Sequence, residues 1–193
     1  QIAGGTITGR AGLSAATSMT LSNLGAGSII AAAAALGVSG LTVGTDATLT
    51  SRAAALSLGN VSVGGDLQAN GVGLSQTGTL DVDGHATLQA GTGGLAIHNV
   101  SAGGLTATGA SITQTGTASV AGRAELDTSG DIALVDFNAG MLDADAAAIT
   151  QTGTLKVTGE ADLSTSGAIT LADVDADALT ATADDTLQIA KAN

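Results

Sequence analysis

A three-part apolar pattern returns about every 37 residues and constrains this chain more than any other feature. An Ala-x-Leu pair occurs at Ala11/Leu13, Ala47/Leu49, Ala86/Leu88, Ala124/Leu126 and Ala161/Leu163. A second apolar pair follows at Met19/Leu21, Leu56/Leu58, Leu95/Ile97, Ile132/Leu134 and Ile169/Leu171. Three places later comes a single apolar residue: Leu24, Val61, Val100, Phe137 and Val174. Five such units account for nearly all of the 193 residues. A fixed period of this size is the signature of a repeat architecture, in which each unit buries its apolar side against its neighbours.

Within a unit the apolar residues alternate with polar ones, as in Leu80-Asp81-Val82 and Leu155-Lys156-Val157. Period two is the pattern of a strand with one buried face. The runs are short and are punctuated by Gly, Asn and Asp, as strand ends and turns should be. No stretch sustains a period of 3.6; the nearest helical candidate is the Ala run at 31–36, long enough for one or two turns. Composition narrows the choice further. The chain holds 29 Gly, no Pro, no Cys, no Trp or Tyr, and Phe137 as its only aromatic. A propeller blade usually carries aromatic signatures and longer strands. A chain without aromatics needs a thin core that Ala, Val, Leu and Ile can fill. Pro would be excluded wherever every strand donates its N–H to a neighbour on the ladder.

Each unit also divides into two similar halves. The expected fold is therefore all-β: a right-handed parallel β-helix, or β-solenoid, of about ten coils of 18–20 residues, with the whole of 1–193 as one segment made of five double-coil units. Right-handed coiling is expected from the usual sense of parallel connections. Corner glycines are expected to supply positive φ. Phe137, among Val and Leu, is expected to need a local bulge or a wider rung.

The tetrapeptide QTGT occurs at 76–79, 114–117 and 151–154, separated by the unit length. Its Thr residues alternate, so it is expected to form the outer strand of every second coil, with Thr and Gln stacked on a solvent-facing sheet. The first two units lack it. Runs such as GTLKVTGEADLSTSGAITL (153–171) and GTLDVDGHATLQAGTGGLAI (78–97) resemble the filamentous-haemagglutinin repeats of large bacterial exoproteins. The resemblance covers nearly the full chain and is strongest from Leu41 onward. It implies a right-handed parallel β-helix, two-partner secretion through an outer-membrane transporter, and an extended fibre at the bacterial cell surface that serves as an adhesin or as the stalk of a contact-dependent toxin. The secretion domain typical of that family is not recognisable in these residues.

The formal net charge is −12, with five Lys and Arg in all. That balance disfavours nucleic acid and anionic membrane surfaces as partners, since both are held by cationic contacts. Absence of Cys removes disulfides and thiolate chemistry. No apolar run is long enough to span a bilayer as a helix. Two histidines, His85 and His98, occupy polar slots of the repeat, and no Ser-His-Asp arrangement accompanies them. Asp143, Asp145, Asp173, Asp175, Asp177, Asp184 and Asp185 cluster late in the chain; Asp173, Asp175 and Asp177 alternate with Val174 and Ala176 and should share a solvent face. Alternating carboxylates are one route to Ca²⁺, but the Gly-rich nonapeptide of calcium-binding solenoids is absent, and a solvated acidic flank is the expectation. Thr113/Thr115/Thr117 and Thr150/Thr152/Thr154 form regular arrays that an ice-binding face would need on successive coils, whereas here they recur on alternate ones. No residue is singled out as catalytic, cofactor-binding or metal-ligating. The expected function is structural and non-enzymatic: the shaft of an adhesin or a rigid spacer. Its expected partners are host or bacterial cell-surface molecules, or identical subunits stacked end to end. A carbohydrate-active solenoid is a further alternative.

Overall fold

The computed structural model describes residues 1–192. Among them every regular element is a β-strand, and all strands pair in parallel within one continuous sheet. The sheet winds into a solenoid of about ten coils, as the period-two alternation demands. Long strands such as Ala148–Thr165 and Ser18–Ala33 run around corners, with the ladder shifting register there and resuming on the next face. Among the described residues no helix forms, so none is long and apolar enough to cross a membrane. The Ala run that offered a helical turn lies instead in the strands Ser18–Ala33 and Ala35–Val43, with Ala31 and Ala33 fully buried. Its neighbours in the ladder decide the matter: Ala31 pairs with Leu13 on one side and Leu49 on the other. Tertiary pairing overrides the helical propensity of Ala.

Each coil has three faces. On face 1, the pair Met19/Leu21 stacks on Leu36/Val38, then Leu56/Leu58, and so on to Leu187/Ile189. The steps between successive coils run from 17 residues (Met19 to Leu36) to 21 (Leu74 to Leu95). At about 4.8 Å per coil the rod is on the order of 50 Å long. Face 2 stacks the single apolar residues and their partners two places on, such as Leu80/Val82 on Val100/Ala102. Face 3 carries the Ala-x-Leu pairs.

Face 3 explains why the period is two coils rather than one. Ala86-x-Leu88 stacks on Leu105-x-Ala107, which stacks on Ala124-x-Leu126, then Leu142-x-Ala144, then Ala161-x-Leu163. Both inward columns therefore alternate large and small in opposite phase. Two adjacent Leu side chains in one column would compete for the space that a Leu over an Ala shares. The checkerboard fills a narrow core at high density without aromatic rings.

Face 2 accommodates its one large residue in the same way. Phe137 is fully buried, and its ladder neighbours are Ala118 on one side and Leu155 on the other. Ala139, next inward on the same strand, is also small. No bulge interrupts face 2 here: the register shifts that flank it, at 120/123 and 139/142, sit at the corner before face 3 and recur on other coils. The bulge expected at Phe137 is replaced by a small neighbour.

Candidate functional site

The QTGT segments lie at the corner between faces 1 and 2, and each letter has a separate role. Gln76, Gln114 and Gln151 do not face solvent. They point inward and are 2%, 0% and 1% exposed. Each occupies a column otherwise filled by Leu, Ile or Val: Leu58, Gln76, Ile97, Gln114, Leu134, Gln151, Leu171. The buried amide is satisfied by backbone at the corner. His98 N–H donates to Gln76 Oε1 at 2.7 Å, Val135 N–H to Gln114 Oε1 at 2.9 Å, and Ala172 N–H to Gln151 Oε1 at 3.0 Å. In return Gln76 Nε2 and Gln114 Nε2 donate to the carbonyls of Gly78 and Gly116 in their own corners, both at 2.6 Å. Gln151 Nε2 reaches back to the Val135 carbonyl at 3.4 Å. Among the described residues no buried side-chain nitrogen or oxygen lacks a partner.

The remaining letters seat one coil on the next. The N–H of the last Thr is capped by a side chain from the preceding coil: Thr79 by Asn60 Oδ1 at 2.9 Å, Thr117 by Asn99 Oδ1 at 3.1 Å, Thr154 by Asp136 Oδ1 at 3.0 Å. The Gly sits where that capping oxygen approaches most closely; a methyl group at Gly116 would overlap Asn99 Oδ1 and the His98 carbonyl. This Gly is required by close approach rather than by φ. Positive φ occurs only at Gly4, Gly5, Gly40 and Asn23 among the described residues, so the expectation for the corner glycines holds at Gly40 and is corrected at the QTGT corners. Corners therefore come in two kinds that alternate: a QTGT corner, and an Asn or Asp corner that supplies the cap. Of the Thr and Gln expected together at the surface, the Thr residues are outward and the Gln residues form an internal staple.

The histidines and carboxylates are placed by the same faces. His85 lies within the strand Thr79–Ala90, where it turns onto face 3, and is exposed; its Nε2 lies 2.9 Å from Thr106 Oγ1, and its ring leans over Gly104, where a Cβ would meet Nδ1 at 2.5 Å. Together with Arg123 and Glu125 it borders an open surface depression of about 400 Å³. His98 is at a corner, half-buried, with Nδ1 3.2 Å from Thr115 Oγ1. The late Asp residues separate. Asp143 is on face 3, bonded to Arg123 at 2.6 Å. Asp175 is on face 2 opposite Lys156 at 3.8 Å, and Asp173 is at the corner with Lys191 at 3.0 Å. Val174 between them is buried, as the alternation required. Among the described residues no group of three His, Cys, Asp or Glu is arranged to hold a metal ion. The outward Thr residues on face 1 are interrupted: Thr113 is followed by Ala133, then Thr150 and Thr170.

Sequence reasoning missed the inward Gln. The signal was present: each Gln stands two places after Leu74, Ile112 or Ile149, at a position that is apolar in the intervening coils.

Comparison with known proteins agrees with this repeat structure. A family described as repeats of unknown function (DUF5649) matches three times, at residues 44–101, 92–139 and 135–185. These matches cover well over half of the chain, and the protein belongs to that family. Neither a curated protein nor a solved structure matches it.

Proposed function

We propose that this chain is a structural segment of a secreted bacterial surface fibre, a shaft or rigid spacer that holds an adhesive or toxic tip away from the cell. One observation carries the reading: a single unbroken core runs the length of the rod, and its corners are short and cross-braced from coil to coil by buried Gln and by Asn or Asp. A stack built this way resists bending, because each coil is fixed to the next on all three faces. The resemblance to filamentous-haemagglutinin repeats supplies the cellular setting: two-partner secretion and attachment to host or bacterial cell-surface molecules. Protease treatment of intact producing cells tests the setting. Loss of the protein while a cytoplasmic marker survives supports it; full protection of the protein sinks it.

A second reading, self-stacking into extracellular filaments, is favoured by the end coils. Ile7 is 37% exposed at one end; Leu187 and Ile189 are 47% and 37% exposed at the other. These are inward-column residues that a further coil would cover, either of a longer chain or of another copy. Electron microscopy of the purified chain separates the two: filaments lengthening with concentration support stacking, and rods of fixed length near 50 Å refute it.

A further inference from the structure

The charges are distributed unevenly around the rod. The ten face 1 segments from 19–21 to 187–189 contain no charged residue. The outward positions of the first nine are short side chains, among them Thr20, Ser57, Ser75, Thr113, Thr150 and Thr170, all exposed except Ser75, which is half-buried; the tenth carries the neutral Gln188. Counting the positions just before and after each segment adds a single carboxylate, Asp131, at the margin. Faces 2 and 3 and the corners carry the rest of a chain whose net charge is −12. A rod of like-charged copies can approach itself only along a side where no charge must be desolvated or opposed.

We infer that face 1 is a pairing surface for a second copy of this chain, with the two rods side by side and antiparallel. The area is adequate. Five residues across at about 3.3 Å each and ten coils at about 4.8 Å give about 800 Å² per copy, which is what a standard-size interface buries on each side. Short Thr, Ser, Ala and Gly side chains let two sheets approach to the usual spacing of about 10 Å. The direction follows from the charge gradient along the axis. The first 96 residues hold four carboxylates and two arginines, a net −2; the remaining 97 hold thirteen carboxylates and three cations, a net −10. An antiparallel pair sets each strongly acidic half against a weakly charged one. A parallel pair would set the two acidic halves together.

The test is sedimentation velocity of the 193-residue chain at about 100 μM, where an interface of this size is populated. The expected result is a dimer that Thr113→Lys combined with Thr150→Lys converts to monomer, raising the dissociation constant at least about tenfold. Ser62→Lys combined with Ser101→Lys, on face 2, leaves the dimer intact. Circular dichroism confirms that each variant keeps its strand content. The chain has no Cys, so orientation is read directly. Ser57→Cys copies mixed with Thr150→Cys copies should link to each other through a short bis-maleimide, in preference to linking like with like. A monomeric parent chain overturns the inference, including one that binds ice or a polysaccharide through face 1 as a monomer. Dimers indifferent to the face 1 lysines, or like-with-like crosslinking, overturn it too. None of these outcomes bears on whether the chain is a surface fibre, which the protease test decides.

Discussion

Replacing Gln114 by Leu should destabilise the rod, although Leu is what the neighbouring coils place in that column. Gln114 is fully buried between Ile97 and Leu134. Substituting an apolar residue for a buried polar one is often neutral or better when both polar partners leave together. Here the partners are backbone and remain. Val135 N–H loses its acceptor at 2.9 Å and the Gly116 carbonyl loses its donor at 2.6 Å. Two stranded groups cost about 1–3 kcal/mol each. The added apolar burial returns about 1–2 kcal/mol. The net is a loss of about 0–5 kcal/mol, with a midpoint of about 2–3 kcal/mol, felt first at the corner between coils. Solenoids can open locally, so a single global unfolding energy is a poor readout. Hydrogen exchange with mass resolution is better: peptides containing Val135 should exchange at least about tenfold faster in Gln114→Leu, with distant coils unchanged. The reciprocal change sharpens the test. Leu134→Gln places an amide in a coil whose corner lacks the QTGT geometry, so it should also destabilise, and combining the two should not restore the parent. A Gln114→Leu chain whose Val135 amide stays protected would refute the staple.

Three further outcomes follow from the packing. Phe137→Ala should cost about 3–5 kcal/mol, because the neighbouring Ala118 is too small to fill the void; Ala118→Leu should cost about 1–3 kcal/mol by crowding the same ring, and denaturant titration measures both. Gly116→Ala should destabilise through contact with Asn99, and Asn99→Gly in the same chain should recover part of the loss, read by thermal unfolding. Arg123→Ala should change stability by less than about 1 kcal/mol, since the Arg123–Asp143 pair is about half exposed on both sides; a larger loss in the same melt would contradict that assignment.

Much of the fold was legible because strand alternation and the two-coil period are both written in apolar residues. The columns Met19, Leu21 and Leu24 and their successors were placed inward from spacing alone, and they are inward. What could not be read was the fate of residues whose chemistry and position disagree. Gln is usually exposed, so alternation was set to put QTGT outside. Only the stacking of Gln76 on Leu58 shows that its column is the core. Phe137 was read against the other members of its own marker, Val100 and Val174, two coils away. Its real neighbours, Ala118 and Leu155, are one coil away and belong to the other half of the unit. The neutral side of the rod was invisible for a related reason. Charge is counted along the chain, and only the winding sorts it around the axis.

The alternation has a consequence for how such a rod can change length. Every coil is of one of two kinds on face 3, Ala-x-Leu or its inverse (Leu-x-Ala, with Ile29-x-Ala31 in the second coil), and from the fourth coil to the ninth a QTGT corner alternates with an Asn or Asp corner. Inserting one coil would stack Leu on Leu and Ala on Ala, crowding one column and leaving a void in the other. It would also set two QTGT corners together, the second lacking the Asn or Asp that caps its Thr N–H, or two Asn/Asp corners with no Gln to hold the backbone of the second. Inserting two coils preserves every column and every staple. The smallest change in length that leaves the core undisturbed is therefore the double coil of about 37 residues, and this is the period at which the sequence repeats.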